Sequence, residues 1–126
     1  MNRFKAFLLT LSVSGFKLFN SAQWYQIYTG FRRYNLSRSQ VKVYAKRWIS
    51  AGRMRICKHA LSDNFSESEL EELLDMKLHR YLFRNVIDAR FKGVPSEEIK
   101  KYLLSYAYSY NSFYEYVKLV KKYEKN

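Results

Sequence analysis

Only four glycines and one proline occur in this 126-residue sequence. Sandwiches and barrels need many tight turns, which these two residues supply, so their scarcity disfavours all-β folds. Hydrophobic residues make up 48% of the chain and aromatic residues 18%, which excludes a disordered basic tail. The sequence therefore predicts an all-α fold, a single domain over residues 1–126 formed by a compact bundle of five or six helices.

The N-terminal segment leaves two interpretations open. Residues 2–19 predict an amphipathic core helix, because its large apolar residues fall on one side at helical spacing. These residues, with the glycine between them, are Phe4, Phe7, Leu8, Leu11, Gly15, Leu18 and Phe19. A charged start followed by a short apolar run is also typical of a secretory signal, with cleavage near Val13 or Gly15. The run is too short to span a bilayer, and a membrane partner is not favoured, although a helix lying on a membrane surface stays an alternative.

Capping residues predict two helices in the next part of the chain. Ser21 is expected to cap a helix that runs to about Arg33, and Ser37 is expected to cap a second helix that ends at Gly52. A tight turn is expected at residues 34–36, because Asn35 tolerates the left-handed conformation. The following stretch, residues 53–65, is expected to be less regular.

Further capping signals organise the C-terminal half. Ser66 with Glu69 forms a predicted capping box for one long helix to about Phe91, which Gly93 ends. Pro95 suits the start of a final segment that either runs unbroken to residue 123 or breaks near residues 108–111. In the second case Ser112 and Glu115 form another capping box. The apolar residues expected to supply a core or a self-association surface are Ile99, Tyr102, Leu103, Tyr106, Phe113, Tyr116, Val117 and Val120.

The positive charge is unevenly distributed along the sequence. Of the net charge of +12, residues 1–64 carry +11, with 12 Lys and Arg against one Asp. Residues 65–126 carry 11 basic and 10 acidic residues, a net charge of +1. An excess confined to one half predicts a face that binds a polyanion, either nucleic acid or anionic lipid.

The predicted helix 38–51 has a basic face without any acid. Its other face, formed by Val41, Tyr44, Ala45 and Trp48, is expected to pack against the preceding helix. A helix that enters the major groove needs short polar or basic residues near its N-terminus for the base edges, and flanking cations for the phosphates. This helix meets both requirements.

Residues 35–44, Asn-Leu-Ser-Arg-Ser-Gln-Val-Lys-Val-Tyr, resemble the turn and recognition helix of helix-turn-helix proteins, a group that includes winged-helix domains. Asn35 stands where Gly is usual, Leu36 and Val41 occupy buried positions, and Ser37 is the cap. Gly30-Phe31 departs from the usual aliphatic residue followed by Ala. The resemblance implies DNA contacts by Arg38, Ser39, Gln40, Lys42, Val43 and Lys46. We expect Arg32, Arg33, Arg47, Arg53 and Arg55 to hold phosphates.

The sequence carries no recognisable catalytic motif. Cys57 and His59, with the distant His79, lack the paired spacing of a zinc site. No phosphate-binding loop, nucleophile elbow or zinc-protease motif occurs. We therefore expect no enzyme activity, no metal and no cofactor, and we interpret Cys57 as a small buried residue.

These features favour a small helix-turn-helix transcriptional regulator that docks helix 38–51 in the major groove of double-stranded DNA. We expect a cytoplasmic or nucleoid-associated protein that forms a homodimer or larger homo-oligomer through its aromatic C-terminal helices. One alternative is a structural nucleoprotein of a virus or mobile element, such as a virion coat or genome-packaging protein, which binds nucleic acid non-specifically. A second alternative is an inhibitor or adaptor that binds an acidic protein surface.

Overall fold

The computed structural model describes residues 1–15, 18–106 and 112–124, and within these ranges it is all-α, with eight helices and no strand. The all-α prediction is confirmed, while the helices number eight rather than five or six. They are α1 (Arg3–Ser14), α2 (Ser21–Arg32), α3 (Arg38–Tyr44), α4 (Ala51–Ser62), α5 (Glu67–Asp75), α6 (Arg80–Phe91), α7 (Ser96–Tyr106) and α8 (Ser112–Tyr123).

The chain divides into two compact units, Met1–Lys77 and Leu78–Asn126. The first unit has 13 Lys and Arg against 6 Asp and Glu, a net charge of +7, and the second has 10 against 5, a net charge of +5. The acids of α5 belong to the first unit, which is why the charge is more even between units than between sequence halves. Residues 21–62 nevertheless contain nine Lys and Arg and no acid. The positive excess of the first unit is therefore concentrated in α2–α4.

Helix α1 presents a different face to the core from the one predicted. Its buried residues are Ala6, Thr10, Val13 and Ser14, while Phe4, Phe7, Leu8, Leu11 and Leu18 are exposed, Phe4 to 72%. The small buried side chains pack against α2 and α3. The Thr10 hydroxyl donates to the Ala6 carbonyl at 2.8 Å, so this buried polar group is satisfied within the helix. The helix ends at Gly15, which has a φ of 55°, and not at residue 19.

The core of the first unit forms where α2 packs on α4 and α3 packs on α4 and α5. Its largest fully buried side chains are Ile27, Phe31, Val41, Val43, Tyr44, Ile49, Met54, Leu61 and Leu70. Tyr44 of α3 lies over Gly30 of α2, and its hydroxyl donates to the Gln26 carbonyl at 2.9 Å. A methyl group at position 30 would overlap that hydroxyl. Gly30 therefore permits the close approach of α2 and α3, and the bulky Phe31 beside it is accommodated in the core.

The predicted helix from Ser37 to Gly52 is wrong after its second turn. Helix α3 ends at Tyr44, and Ser50 caps the next helix by accepting the Arg53 backbone N–H at 3.3 Å. Gly52 lies in the first turn of α4, where its low helix propensity matters least, rather than beyond a helix end. Residues 53–62, predicted to be irregular, are helical in α4. Trp48 lies in the connection and is 49% exposed, so the predicted inward packing of this residue is also wrong.

The single long helix predicted from Ser66 to Phe91 is two helices. Ser66 caps α5 as predicted, and its hydroxyl accepts the Glu69 backbone N–H. Helix α5 ends at Asp75, because Lys77 adopts a left-handed conformation with a φ of 52° and His79 caps α6 through its ring nitrogen. The two compact units meet in sequence at this break.

The second unit packs α7 against both α6 and α8. Gly93, with a φ of 98°, follows the end of α6 as predicted. Pro95 directly precedes α7, and its carbonyl accepts the N–H groups of Glu98 and Ile99, both at 3.1 Å. Of the predicted apolar set, Ile99, Tyr102, Leu103, Tyr116 and Val120 are buried, Val117 is half-buried and Phe113 is exposed. The Tyr106 side chain and the predicted break at residues 108–111 lie outside the described residues.

Candidate nucleic-acid interface

The turn and the start of α3 have the local features that the sequence predicts, whereas α2 is capped by Asn20, whose side chain accepts the Gln23 N–H at 2.8 Å, and not by Ser21 as predicted. Asn35 is left-handed with a φ of 51°, and the Leu36 N–H donates to the Gly30 carbonyl at 3.0 Å, which closes the turn. Ser37 caps α3, with its hydroxyl accepting the Gln40 N–H and the Gln40 side chain accepting the Ser37 N–H. Leu36 and Val41 are buried. The turn residues therefore fix where α3 begins and which of its faces is exposed.

Six of the predicted contact residues are exposed on this part of the molecule: Arg33, Arg38, Ser39, Lys42, Arg47 and Arg55. They come from the end of α2, the first turns of α3, the connection after α3, and α4. Within the described residues, none of these five cations forms an ion pair with a carboxylate. Exposed cations without carboxylates are available for an external anion.

The other predicted contact residues are less available. Val43 is buried, with 1% of its surface exposed, because α3 packs against α4 and α5, so the expectation that it contacts DNA is wrong. Gln40 is half-buried, and its side-chain amide accepts the Ser37 N–H and donates to the Leu61 carbonyl. Arg32 donates to the Met1 carbonyl at 2.7 Å, and Arg53 to the Ser50 hydroxyl. Lys46 is half-buried in the connection after α3.

A buried lysine adds a positive charge beside the exposed cations, which the sequence does not predict. Lys58 of α4 is 5% exposed, and its Nζ donates to Gln26 Oε1 at 2.7 Å and to Thr29 Oγ1 at 3.0 Å. The ammonium also lies 5.1 Å from the centre of the Tyr34 ring and 6.0 Å from that of Tyr25. The available sequence signal is spacing, since Lys58 follows Arg55 by one helical turn.

The surroundings of Lys58 lower the pKa of its ammonium group. Burial, together with the nearby positive charges of Arg55 and Arg33, lowers the pKa of Lys58 to about 8. Burial also lowers the pKa of His59, as do Lys58 and Arg55, against the opposing effect of Asp63. Helix α2 packs against α4, so Arg33 at the C-cap of α2 and the α4 residues Arg55 and Lys58 form one cationic cluster where the two helices meet.

The candidates for metal binding and catalysis remain isolated residues. Cys57 is buried as predicted, and burial raises the pKa of its thiol. Across residues 1–15, 18–106 and 112–124, no three His, Cys, Asp or Glu side chains form a group that could hold a metal ion. In the same ranges, no helix is long and apolar enough to cross a membrane.

The candidate interface thus combines a capped two-turn helix with cations from α2 and α4. No protein-family model, curated protein or solved structure matches this sequence, so the inference of function rests on these residues.

Proposed function

We propose that this protein is a small regulator that binds double-stranded DNA through α2–α4 in the manner of a helix-turn-helix domain. The observation that carries the proposal is the exposed set of Arg and Lys within residues 21–62, a segment that contains no acid. Such a surface attracts the phosphate backbone, and this electrostatic term supplies most of the affinity of a protein for DNA.

The short length of α3 limits how it enters the groove. Seven residues span about 10 Å, close to the width of the major groove of about 12 Å. The exposed side chains of α3 that can reach the base edges are Arg38 and Ser39 in its first turn and Lys42 in its last turn. Arg33, Arg47 and Arg55 lie on neighbouring elements and hold the phosphates. This arrangement replaces the predicted docking of a helix over residues 38–51.

The proposal is tested by selecting bound sequences from a pool of random DNA duplexes at near-physiological salt. A regulator enriches a motif, and the enriched duplex stays bound when excess unrelated DNA is added. Uniform retention of all duplexes would refute sequence reading, and retention of none would refute DNA binding and favour an acidic protein partner.

A pair of matched variants then locates the interface by fluorescence anisotropy on the enriched duplex. Arg38→Ala combined with Lys42→Ala removes two cations from α3, and we expect the affinity to fall about 10- to 100-fold. The control, Lys121→Ala combined with Lys122→Ala, removes the same charge from exposed positions on α8. If both double variants lost the same affinity for the duplex, only the net charge of the protein would matter, and the proposed DNA-binding role of α3 would be contradicted.

A second candidate function, a structural nucleoprotein, is favoured by one observation in the second unit. Leu104, Phe113 and Tyr114 are 87%, 68% and 63% exposed on α7 and α8. Large apolar residues in such positions often mark a surface for self-association. Light scattering after size-exclusion chromatography separates the two functions: a regulator gives a discrete dimer, whereas a packaging protein gives assemblies that grow with concentration.

A further inference from the structure

The cluster of Arg33, Arg55 and Lys58 is unusual because two exposed arginines lie close to a lysine whose own positive charge is buried. The Lys58 ammonium has oxygen partners on Gln26 and Thr29 and two aromatic rings beside it, all of which are neutral. Among the described residues, no carboxylate pairs with Lys58, and the acid that acts on the neighbouring His59 is Asp63. A buried cation ordinarily has an anionic partner, because an uncompensated charge is destabilising inside a protein.

We propose that Arg33, Arg55 and Lys58 form a binding site for one phosphate group, and, resting on the DNA-binding function proposed above, that this group is a backbone phosphate of the bound nucleic acid. A phosphate supplies the negative charge that the cluster lacks. The two exposed guanidinium groups offer paired N–H donors that match phosphate oxygens, while the ammonium acts as a point charge held in place by α2.

The location of the cluster supports this assignment. Arg33 is the C-cap of α2, immediately before the turn that leads into α3, and Arg55 and Lys58 lie one turn apart on α4. Tyr34 joins the two elements, because its ring contacts His59 edge-on with a centroid distance of 5.2 Å. A phosphate at this position would fix the duplex relative to the start of α3. Phosphate contacts of this kind set the register of a DNA-binding helix.

The site makes phosphate binding depend on pH in a defined direction. Lys58 has a pKa of about 8, so it is largely protonated at pH 7.5 and loses its charge on going to pH 9. Arg33 and Arg55 remain charged throughout this range, and His59, whose pKa is lowered, remains neutral. A bound phosphate favours the protonated form of Lys58. The affinity for a phosphodiester, whose own charge is constant, should therefore fall as the pH rises.

The first experiment uses inorganic phosphate as the probe and does not require DNA. Amide chemical shifts of the full chain are followed during a phosphate titration at pH 7.5. We expect saturable shifts centred on residues 33–34 and 55–59 that are absent in the Arg33→Ala, Arg55→Ala double variant. Non-saturable shifts, or shifts spread over all basic surfaces, would overturn the site.

The second experiment measures duplex affinity at pH 7.5 and pH 9. The wild type should bind about tenfold more weakly at pH 9, and Lys58→Met should bind equally at both values. Because Lys58→Met changes a buried side chain, the double variant at exposed Arg33 and Arg55 provides the independent test. We expect its affinity at pH 7.5 to fall at least tenfold further than that of the Lys121→Ala, Lys122→Ala control.

The outcomes separate this inference from the proposed function. If the wild type binds duplex DNA but the Arg33, Arg55 variant behaves like its control, the phosphate site is wrong and DNA binding stands. If the wild type binds inorganic phosphate at the cluster but no duplex, the proposed function is wrong, and so is the assignment of the phosphate to a DNA backbone.

Discussion

The contact between Gly30 and Tyr44 gives the sharpest test of how α2 and α3 are joined. Replacing Gly30 by Ala in an ordinary helix interior stabilises a protein by about 1 kcal/mol, because glycine has the lower helix propensity. Here the new methyl group would overlap the hydroxyl of Tyr44, a side chain that is fully buried and hydrogen-bonded to the Gln26 carbonyl. We therefore expect Gly30→Ala to reverse the usual sign of this substitution.

The expected magnitude follows from three contributions. Forcing an extra methyl into a packed core costs about 1–3 kcal/mol. Displacing the Tyr44 hydroxyl from the Gln26 carbonyl costs about 1 kcal/mol more. The gain in helix propensity offsets about 1 kcal/mol of this total. The free energy of unfolding of Gly30→Ala should accordingly fall by about 1–3 kcal/mol, measured by urea denaturation followed by circular dichroism.

The Tyr44→Phe background provides the control. Without the hydroxyl, the nearest atoms to the new methyl are Leu36 Cδ1 and the ring carbon Cζ of residue 44, both at 3.5 Å, which is ordinary van der Waals contact. Gly30→Ala should then stabilise the Tyr44→Phe protein by up to about 1 kcal/mol. The same effect of Gly30→Ala in both backgrounds, or a stabilisation in the wild type, would refute this account of the helix pair.

Three further predictions concern other parts of the first unit. Phe4→Ser should change the free energy of unfolding by less than about 0.5 kcal/mol, because Phe4 is exposed. Val13→Ser, on the buried face of α1, should lower the free energy of unfolding by about 1–3 kcal/mol. A larger loss for Phe4→Ser than for Val13→Ser would show that the face predicted from the sequence is the buried one. Asn35→Gly should leave stability unchanged or slightly raised, and Asn35→Val should lower it by about 1–2 kcal/mol, because Asn35 is left-handed; equal urea midpoints would contradict this. Burial and the positive charges of Arg55 and Arg33 lower the folded-state pKa of Lys58 to about 8, so the unfolded chain binds more protons than the folded protein above that pH. The free energy of unfolding should therefore rise by up to about 1 kcal/mol from pH 7.5 to pH 9 relative to Lys58→Met, and parallel pH profiles of the two proteins would contradict this.

Local signals in the sequence predict the features that depend only on residues close together in the chain. Asn35 in the turn, the Ser37 and Ser66 caps and the stop at Gly93 all occur as expected, because each depends on the conformational preference or hydrogen bonding of one residue. The all-α class follows from the scarcity of glycine and proline, because all-β folds need many turns that these residues supply. The signal for α4 was also present, in the Ser50 cap and the spacing of Met54, Cys57 and Leu61.

Features that depend on tertiary packing were not predictable from the sequence. A rule that places the largest apolar residues inside assigns the wrong face to α1, where Ala6 and Thr10 are buried and Phe4 is exposed. The break after Asp75 contains no glycine or proline, and the left-handed Lys77 gives no sequence signal. The sequence alone indicates that Lys58 is a surface cation. Its ammonium is buried because the fold brings Gln26 and Thr29, some 30 residues earlier in the chain, into contact with it.

The salt dependence of DNA binding tests the central claim most directly, namely that the exposed cations of α2–α4 bind the DNA backbone. The logarithm of the affinity of each protein for a duplex is measured against the logarithm of the salt concentration. Each lost phosphate contact reduces the magnitude of the slope by about 0.9. Arg33→Ala with Arg55→Ala should reduce it by about 0.9, because these two residues hold the same phosphate, while Lys121→Ala with Lys122→Ala should leave it unchanged. A wild-type affinity that does not depend on salt, or equal slopes for all three proteins, would contradict the account.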